Sequence, residues 1–255
     1  QKSTLNTKSY TVGGNIVYTE PIKKYGQISV NYSPSYTNSI SQKNTNNYDA
    51  VTGDYTLPDT ALSNQFNNRY ITNKLGIAYR YNNQKINWTI GLVGQDALLR
   101  SEQVSPNNIS VNKNFLSLLP NTELNVKFSK TENLRVFYRT STNPPSITQL
   151  QNVIDNSNSL ILTSGNPDLK QTFSQNIGLR YGRTNTKKAT NLFLFANATN
   201  TINYIANSTT IFERDTIIND IAASAGSQFI QPTNLNGYWN ARTFVTYGFP
   251  ISKIK

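Results

Sequence analysis

The stretch ITNKLGIAYRYNNQKINWTIGL, residues 71–92, alternates apolar and polar residues on both sides of one short turn. Ile71, Leu75, Ile77, Tyr79 and Tyr81 fall on one side of its first half, with Thr72, Lys74, Gly76 and Arg80 on the other. Past Asn82-Asn83-Gln84-Lys85, the second half sets Ile86, Trp88, Ile90 and Leu92 against Asn87, Thr89 and Gly91. A repeat of two is that of a β-strand whose successive side chains point to opposite faces. The Asn-rich turn closes two such strands into a hairpin. The polar face carries Lys and Arg, and the aromatic residues of the apolar face gather beside the turn.

Outward from this hairpin the same pattern recurs. Toward the amino terminus, Tyr10, Val12, Ile16 and Tyr18 form one apolar face, and Ile28, Val30, Tyr32 and Tyr36 another. Toward the carboxyl terminus come Leu124, Val126 and Phe128; Leu134, Val136 and Tyr138; Phe173, Ile177, Leu179 and Tyr181; and finally Trp239, Ala241, Val245, Tyr247 and Phe249. Residues 190–204 also read as a strand, but Phe193 and Phe195 oppose Leu192 and Leu194, so its faces stay unassigned. About nine strands result. Connections after odd strands are short and Lys-bearing. Those after even strands, residues 41–68, 101–114, 137–173 and 207–236, read as long polar loops. Aromatic residues sit near the short turns at Tyr18, Tyr25, Tyr79, Tyr81, Trp88, Phe128, Tyr181, Tyr247 and Phe249. Tight turns on one rim, long loops on the other and an aromatic girdle describe an antiparallel transmembrane barrel.

Composition narrows the chemistry. Charged residues make up 15% of the 255, against roughly 25% in ordinary soluble domains, and hydrophobic residues 36%. With Cys 0 and His 0 there is no thiolate or imidazole, so catalytic triads and most zinc sites are excluded, and no catalytic, metal or cofactor site is expected. The net charge of +11 would suit nucleic acid, but the basic residues are scattered and no nucleic-acid partner is expected. No apolar run approaches the ~18 residues of a membrane helix. The competing architecture is a soluble β-sandwich or β-helix with polar loops.

Residues 137–173, FYRTSTNPPSITQLQNVIDNSNSLILTSGNPDLKQTF, are the most shaped of the connections. Pro144 and Pro167 disfavour helix at Asn143 and Asn166, and Gly165 permits positive φ. The phrases FYRTSTNPPSITQL and GNPDLKQTFSQNIGLRY resemble the part of TonB-dependent outer-membrane receptors where an aromatic-Arg-x-Pro motif ends one strand and an Asn-Pro-x-Leu-Lys motif opens the next. The closer resemblance is to the outer-membrane barrel family of Bacteroidetes-type bacteria, through VGGNIVYTEPI, FLSLLPNTELNVKFSKTENLRVFYRTSTNPPS and YGFP. Gln171 and Thr172 depart from the receptor pattern, which has Pro and Glu there.

The resemblance covers nearly the whole chain. It implies an all-β, antiparallel up-and-down transmembrane β-barrel segment of about nine strands, part of a larger barrel of about 22. Residues 1–255 are thus expected to be a partial barrel domain, without the plug domain or the remaining strands. Implied partners are outer-membrane lipid, the protein's own plug domain, the TonB system and a surface lipoprotein. The implied function is nutrient uptake, not catalysis. Ligand-proximal candidates are Arg139, Asn143, Pro144, Pro145, Gln149, Gly165, Asn166, Pro167, Asp168 and Leu169. Lumen-lining candidates are Arg80, Arg135, Arg180 and Arg242. Two alternatives remain: a structural or interaction barrel in a secretion or surface-assembly complex, and a soluble all-β carbohydrate-binding domain.

Overall fold

The computed structural model describes residues 2–60, 63–105, 109–150, 154–218 and 221–251. In chain order its elements are β1 (Lys2–Gly13), β2 (Ile16–Ile22), β3 (Gly26–Asp49), β4 (Asp54–Pro58), β5 (Asn64–Asn82), β6 (Ile86–Ser105), β7 (Ile109–Ser129), β8 (Glu132–Asn143) and α1 (Ile147–Leu150). There follow β9 (Asp155–Asn158), β10 (Ile161–Thr163), β11 (Thr172–Asn185), β12 (Thr190–Ile202), β13 (Tyr204–Ile211), β14 (Thr216–Ile218), β15 (Ile221–Ala223), β16 (Gln228–Leu235) and β17 (Tyr238–Gly248). An eleven-stranded sheet runs β1-β3-β5-β6-β7-β8-β11-β12-β17, with β2 and β4 also paired to β3. Each long strand is antiparallel to its neighbour in the chain, which is the up-and-down order expected of a barrel wall.

Two prolines interrupt the ladders. Gly13 pairs with Ser35 and Ile16 with Tyr32, so β1 and β2 are one edge strand in continuous register. Gly14 N–H donates to Pro34 O at 3.0 Å, and Pro34 has no N–H to return the bond. The ladder therefore opens there, and Ser33 Oγ donates to Asn15 Oδ1 at 2.6 Å across the gap. At Pro120 the pairing of β7 with β8 ends, Asn121 opposite Arg139 being its last rung. Thr140 Oγ1 donates to Pro120 O at 2.9 Å. Beyond this point β8 and its neighbouring loop lean over the polar face of β6 and β7: Gln95 Nε2 reaches Thr142 Oγ1 at 3.0 Å, and Gln171 Nε2 reaches Ser117 Oγ at 2.6 Å.

Register puts the apolar faces of all nine long strands on one side. Val30 lies opposite Ile77, Ile77 opposite Leu92, Leu124 opposite Val136, and Val136 opposite Leu179. It also assigns β12: Leu194 and Ala196 face Tyr181 and Leu179, so Phe193 and Phe195 are on the polar side with Arg180 and Arg242. Among the described residues nothing covers the apolar face, where Ile16 is 70% and Val245 58% exposed. A soluble protein does not leave a sheet-wide apolar surface in water.

The loop rim corrects the sequence reading. Residues 41–68 and 101–114 were expected to be loops, yet β3 runs to Asp49, β5 starts at Asn64, β6 reaches Ser105 and β7 starts at Ile109. Residues 106–108 lie outside the described part. The connection between β6 and β7 is therefore short, and the alternation of short and long connections fails there. The cause is that backbone pairing continues above the membrane while both faces turn polar, which erases the apolar period without ending the strand. Residues 207–236, also read as a connection, contain β14, β15, β16 and most of β13.

Candidate functional site

The polar face has two zones. Near the short turns it is charged and half-open. Glu123 on β7 stands at the hub: Arg135 Nη2 donates at 2.9 Å, Arg139 Nη2 at 2.7 Å and Asn125 Nδ2 at 3.1 Å. The turn between β7 and β8 dictates this, because it places Phe137 opposite Glu123 with Arg135 and Arg139 on either side. Phe137 lies against Gly178, where a Cβ would collide with the ring, and Arg139 stacks over the same ring at 4.9 Å. Arg80 donates to Asn87 Oδ1 at 3.1 Å, while Arg180 and Arg242 cover Phe195 at 5.9 and 5.6 Å. A cavity of about 490 Å³ opens among Arg80, Asn87, Asn121, Glu123 and Arg139. Arg135 Nε is buried with no acceptor. All four lumen-lining candidates thus lie on the polar face, and Arg135 joins Arg139 on Glu123.

The second zone lies under the loops. Leu99 (4% exposed) from β6, Leu150 (0%) from α1 and Leu169 (2%) form a buried cluster, flanked by Tyr70, Phe115 and Ile147. The connection between β8 and β11 is thereby folded down onto the sheet. Its motif residues are spent on holding it there. Asn166 N donates to Gln149 O at 2.6 Å, Asn166 Nδ2 to Pro232 O at 3.1 Å, and Asp168 N to Asn166 Oδ1 at 2.9 Å. Gly165 O accepts from Gln231 Nε2 at 3.0 Å, and Gln149 Oε1 accepts from Ser146 N at 2.9 Å. Pro145 is buried, Asn143 pairs with Thr172, and Pro144 borders a cavity of about 370 Å³ with Thr7, Thr37, Phe66 and Tyr70. Asp168, Asn143 and Arg139 keep exposed side chains.

Sequence reasoning missed Glu123 and Leu150. Glu123 could have been found by counting back from the 130–133 turn. Leu150 carries no periodic signal, since its partners lie in other strands.

A sheet with one bare apolar face, one charged face, tight turns on one rim and packed loops on the other is the wall of an outer-membrane β-barrel. The chain belongs to the Outer membrane protein beta-barrel family, whose model matches residues 1–254. Its place is the bacterial outer membrane. Among solved structures it is similar to the hemophore receptor HasR of Serratia marcescens in complex with HasA and heme, at 14% identity and a TM-score of 0.63, covering 96% of this chain and 39% of that one. It is similar also to the copper transporter OprC, at 10% identity and 0.67, covering 98% and 37%. The alcaligin outer-membrane receptor FauA of Bordetella pertussis gives 14% and 0.53, covering 98% and 41%. A comparison with curated proteins finds no match. The likeness is one of fold, and the chain spans about two fifths of each structure's length.

Proposed function

We propose that this chain is barrel wall from a TonB-dependent outer-membrane receptor that takes up a nutrient, with a plug domain seated against the charged zone of the polar face. The observation that carries the reading is uncompensated positive charge. Among the described strand residues between turns and loops, Arg80, Arg135, Arg139, Arg180 and Arg242 share that face with Glu123 as its carboxylate. Arg135 Nε adds a buried donor with no acceptor. Arg135 is partly buried and the other four are exposed, so this face presents donors to an occupant that supplies acceptors, whether plug or ligand. The HasR, OprC and FauA names concern heme, copper and alcaligin, so uptake by the present chain is an extension from fold to function. On this reading the ligand meets the loop rim near Asn143, Pro144 and Asp168, while Gly165, Asn166 and Leu169 set the loop's path.

The test is association with TonB. Full-length protein is expected to cross-link to TonB in cells and to lose uptake-dependent growth when tonB is deleted. An intact protein that shows neither, and that copurifies with surface-assembly components instead, is the interaction barrel and overturns the proposal.

A further inference from the structure

On the apolar face, β5 and β6 form a ladder of outward pairs that can be read upward from the short turn. Tyr81 opposes Trp88, Tyr79 opposes Ile90, Ile77 opposes Leu92, Leu75 opposes Gly94, Asn73 opposes Asp96 and Ile71 opposes Leu98. The next outward rung is Arg69 opposite Arg100. Like charges placed directly across two strands repel, and each such pair is destabilising unless something neutralises it. Neither guanidinium has a carboxylate within ion-pair distance among the described residues, where the ion pairs involve Glu123 and Glu132. Asp96 lies two rungs below and Glu102 one rung above on the same face, so they bracket the pair without engaging it.

The rung's height says what it meets. Arg69 is twelve residues from Tyr81 along β5. At about 3.3 Å per residue and a tilt of about 40°, that is roughly 30 Å along the membrane normal, just past an apolar band about 25 Å tall. The short turns face the periplasm in barrels of this type, so the rung stands at the headgroups of the outer leaflet. Its neighbours across the sheet are polar and aromatic: Asn38 lies opposite Arg69, Tyr10 opposite Asn38, and Asn112 opposite Arg100. Lys8 adds a third outward cation, one rung higher and two strands away. Adjacent strands are about 4.8 Å apart, so both long side chains can reach one phosphate group, and an Arg fork binds phosphate oxygens bidentately.

We propose that Arg69 and Arg100, with Asn38, Tyr10 and Lys8 around them, bind the phosphate of an outer-leaflet lipid headgroup. The proposal does not depend on what the barrel transports. Its test uses full-length protein in mild detergent, with native mass spectrometry counting bound lipid A, dephosphorylated lipid A and inorganic phosphate. Lipid A is expected to be retained at least tenfold better than its dephosphorylated form, and R69Q/R100Q to remove most of that preference. The control K130Q, on the opposite rim, should leave it unchanged. Equal retention of both lipids by the wild type overturns the proposal without reference to any variant. So does a double variant, folded by its heat-modifiable gel mobility, that keeps the preference. Equal competition by millimolar inorganic phosphate would mean a free-anion site and would also overturn it.

Discussion

The turn-side and loop-side halves of the same strands make opposite use of the same face. Near the turns, the polar face of β7 and β8 holds Glu123, Arg135 and Arg139 in a half-open ion cluster. Further up, the equivalent face of β6 carries Leu99 beside buried Gln95 and Ser101, closed over by Leu150 and Leu169. The apolar face does not change in this way, staying bare from Trp88 to Leu75. What is inside or outside is therefore set by what covers a face, not by the alternation itself. Lipid covers one face up to the headgroups, and the chain's own loop covers the other over only part of its height.

The largest effect should come from contradicting the lipid face. Ile77→Arg puts a charge near the middle of the apolar band and is expected to cost about 3 kcal/mol of folding stability in a bilayer. Ser29→Arg, at a similar height on the polar face of β3, should cost less than about 1 kcal/mol. Equilibrium unfolding of full-length protein in liposomes measures both. Equal losses would erase the distinction between the two faces.

Next in size is the loop-side cluster. Leu150→Ala removes a fully buried side chain and should weaken docking of the connection by about 2 kcal/mol, the low end for such truncations because a loop can partly collapse into the space. Hydrogen exchange should rise across 143–172 while the strands stay protected. If β6 and β7 open together with the loop, the two zones are one cooperative unit and the comparison fails.

The turn-side cluster should be softer. Glu123 and its two arginines are between 29% and 56% exposed, so each pair is worth about 1 kcal/mol or less after screening. A double-mutant cycle on E123Q and R139Q reads that coupling. A value well above 1 kcal/mol in the full-length protein would mean that the site is closed by another component, as the proposed plug would do.

How much of this could be read from the chain follows the same division. The hairpin at 71–92 and its relatives were legible because lipid demands an apolar residue at every second position, and the nine strands along the main path of the wall among the described residues match the nine that the alternation predicts. Strand ends on the loop rim were not legible. Ser101, Gln103 and Asn112 lie in paired strands, but nothing there requires an apolar residue, so the pattern looked like loop. The faces of β12 were hidden because Phe193 and Phe195 are apolar on the charged side, where Arg180 and Arg242 cover Phe195. Of the site, the arginines were visible by parity, whereas the docking of Leu150 depends on a contact with Leu99 that no local spacing encodes.

The smallest effect tests where the membrane ends. At about 3.3 Å per residue, the 24 residues of β3 reach roughly 80 Å, so its far end at Asp49 projects beyond any bilayer. Val51 N–H donates to Asp49 Oδ1 at 2.9 Å and Thr56 Oγ1 to Oδ2 at 3.2 Å, and Gly53 closes the turn with φ 71°. The Val51 amide holds the Asp49 carboxyl below its ordinary value; desolvation opposes it, and the Thr52 and Thr56 hydroxyls add to the lowering. A folded pKa below the unfolded one means that the ionised form stabilises the tip above the ordinary carboxylate range. That support fades as pH falls through the folded value. Amide exchange at Val51 and Gly53, corrected for intrinsic rates, should therefore speed up on acidification in the wild type, and Asp49→Ala, which removes the acceptor, should be fast at every pH. Tip exchange that ignores pH, or that Asp49→Ala leaves unaltered, would show that backbone pairing alone holds the projecting hairpin, as it does elsewhere on the loop rim.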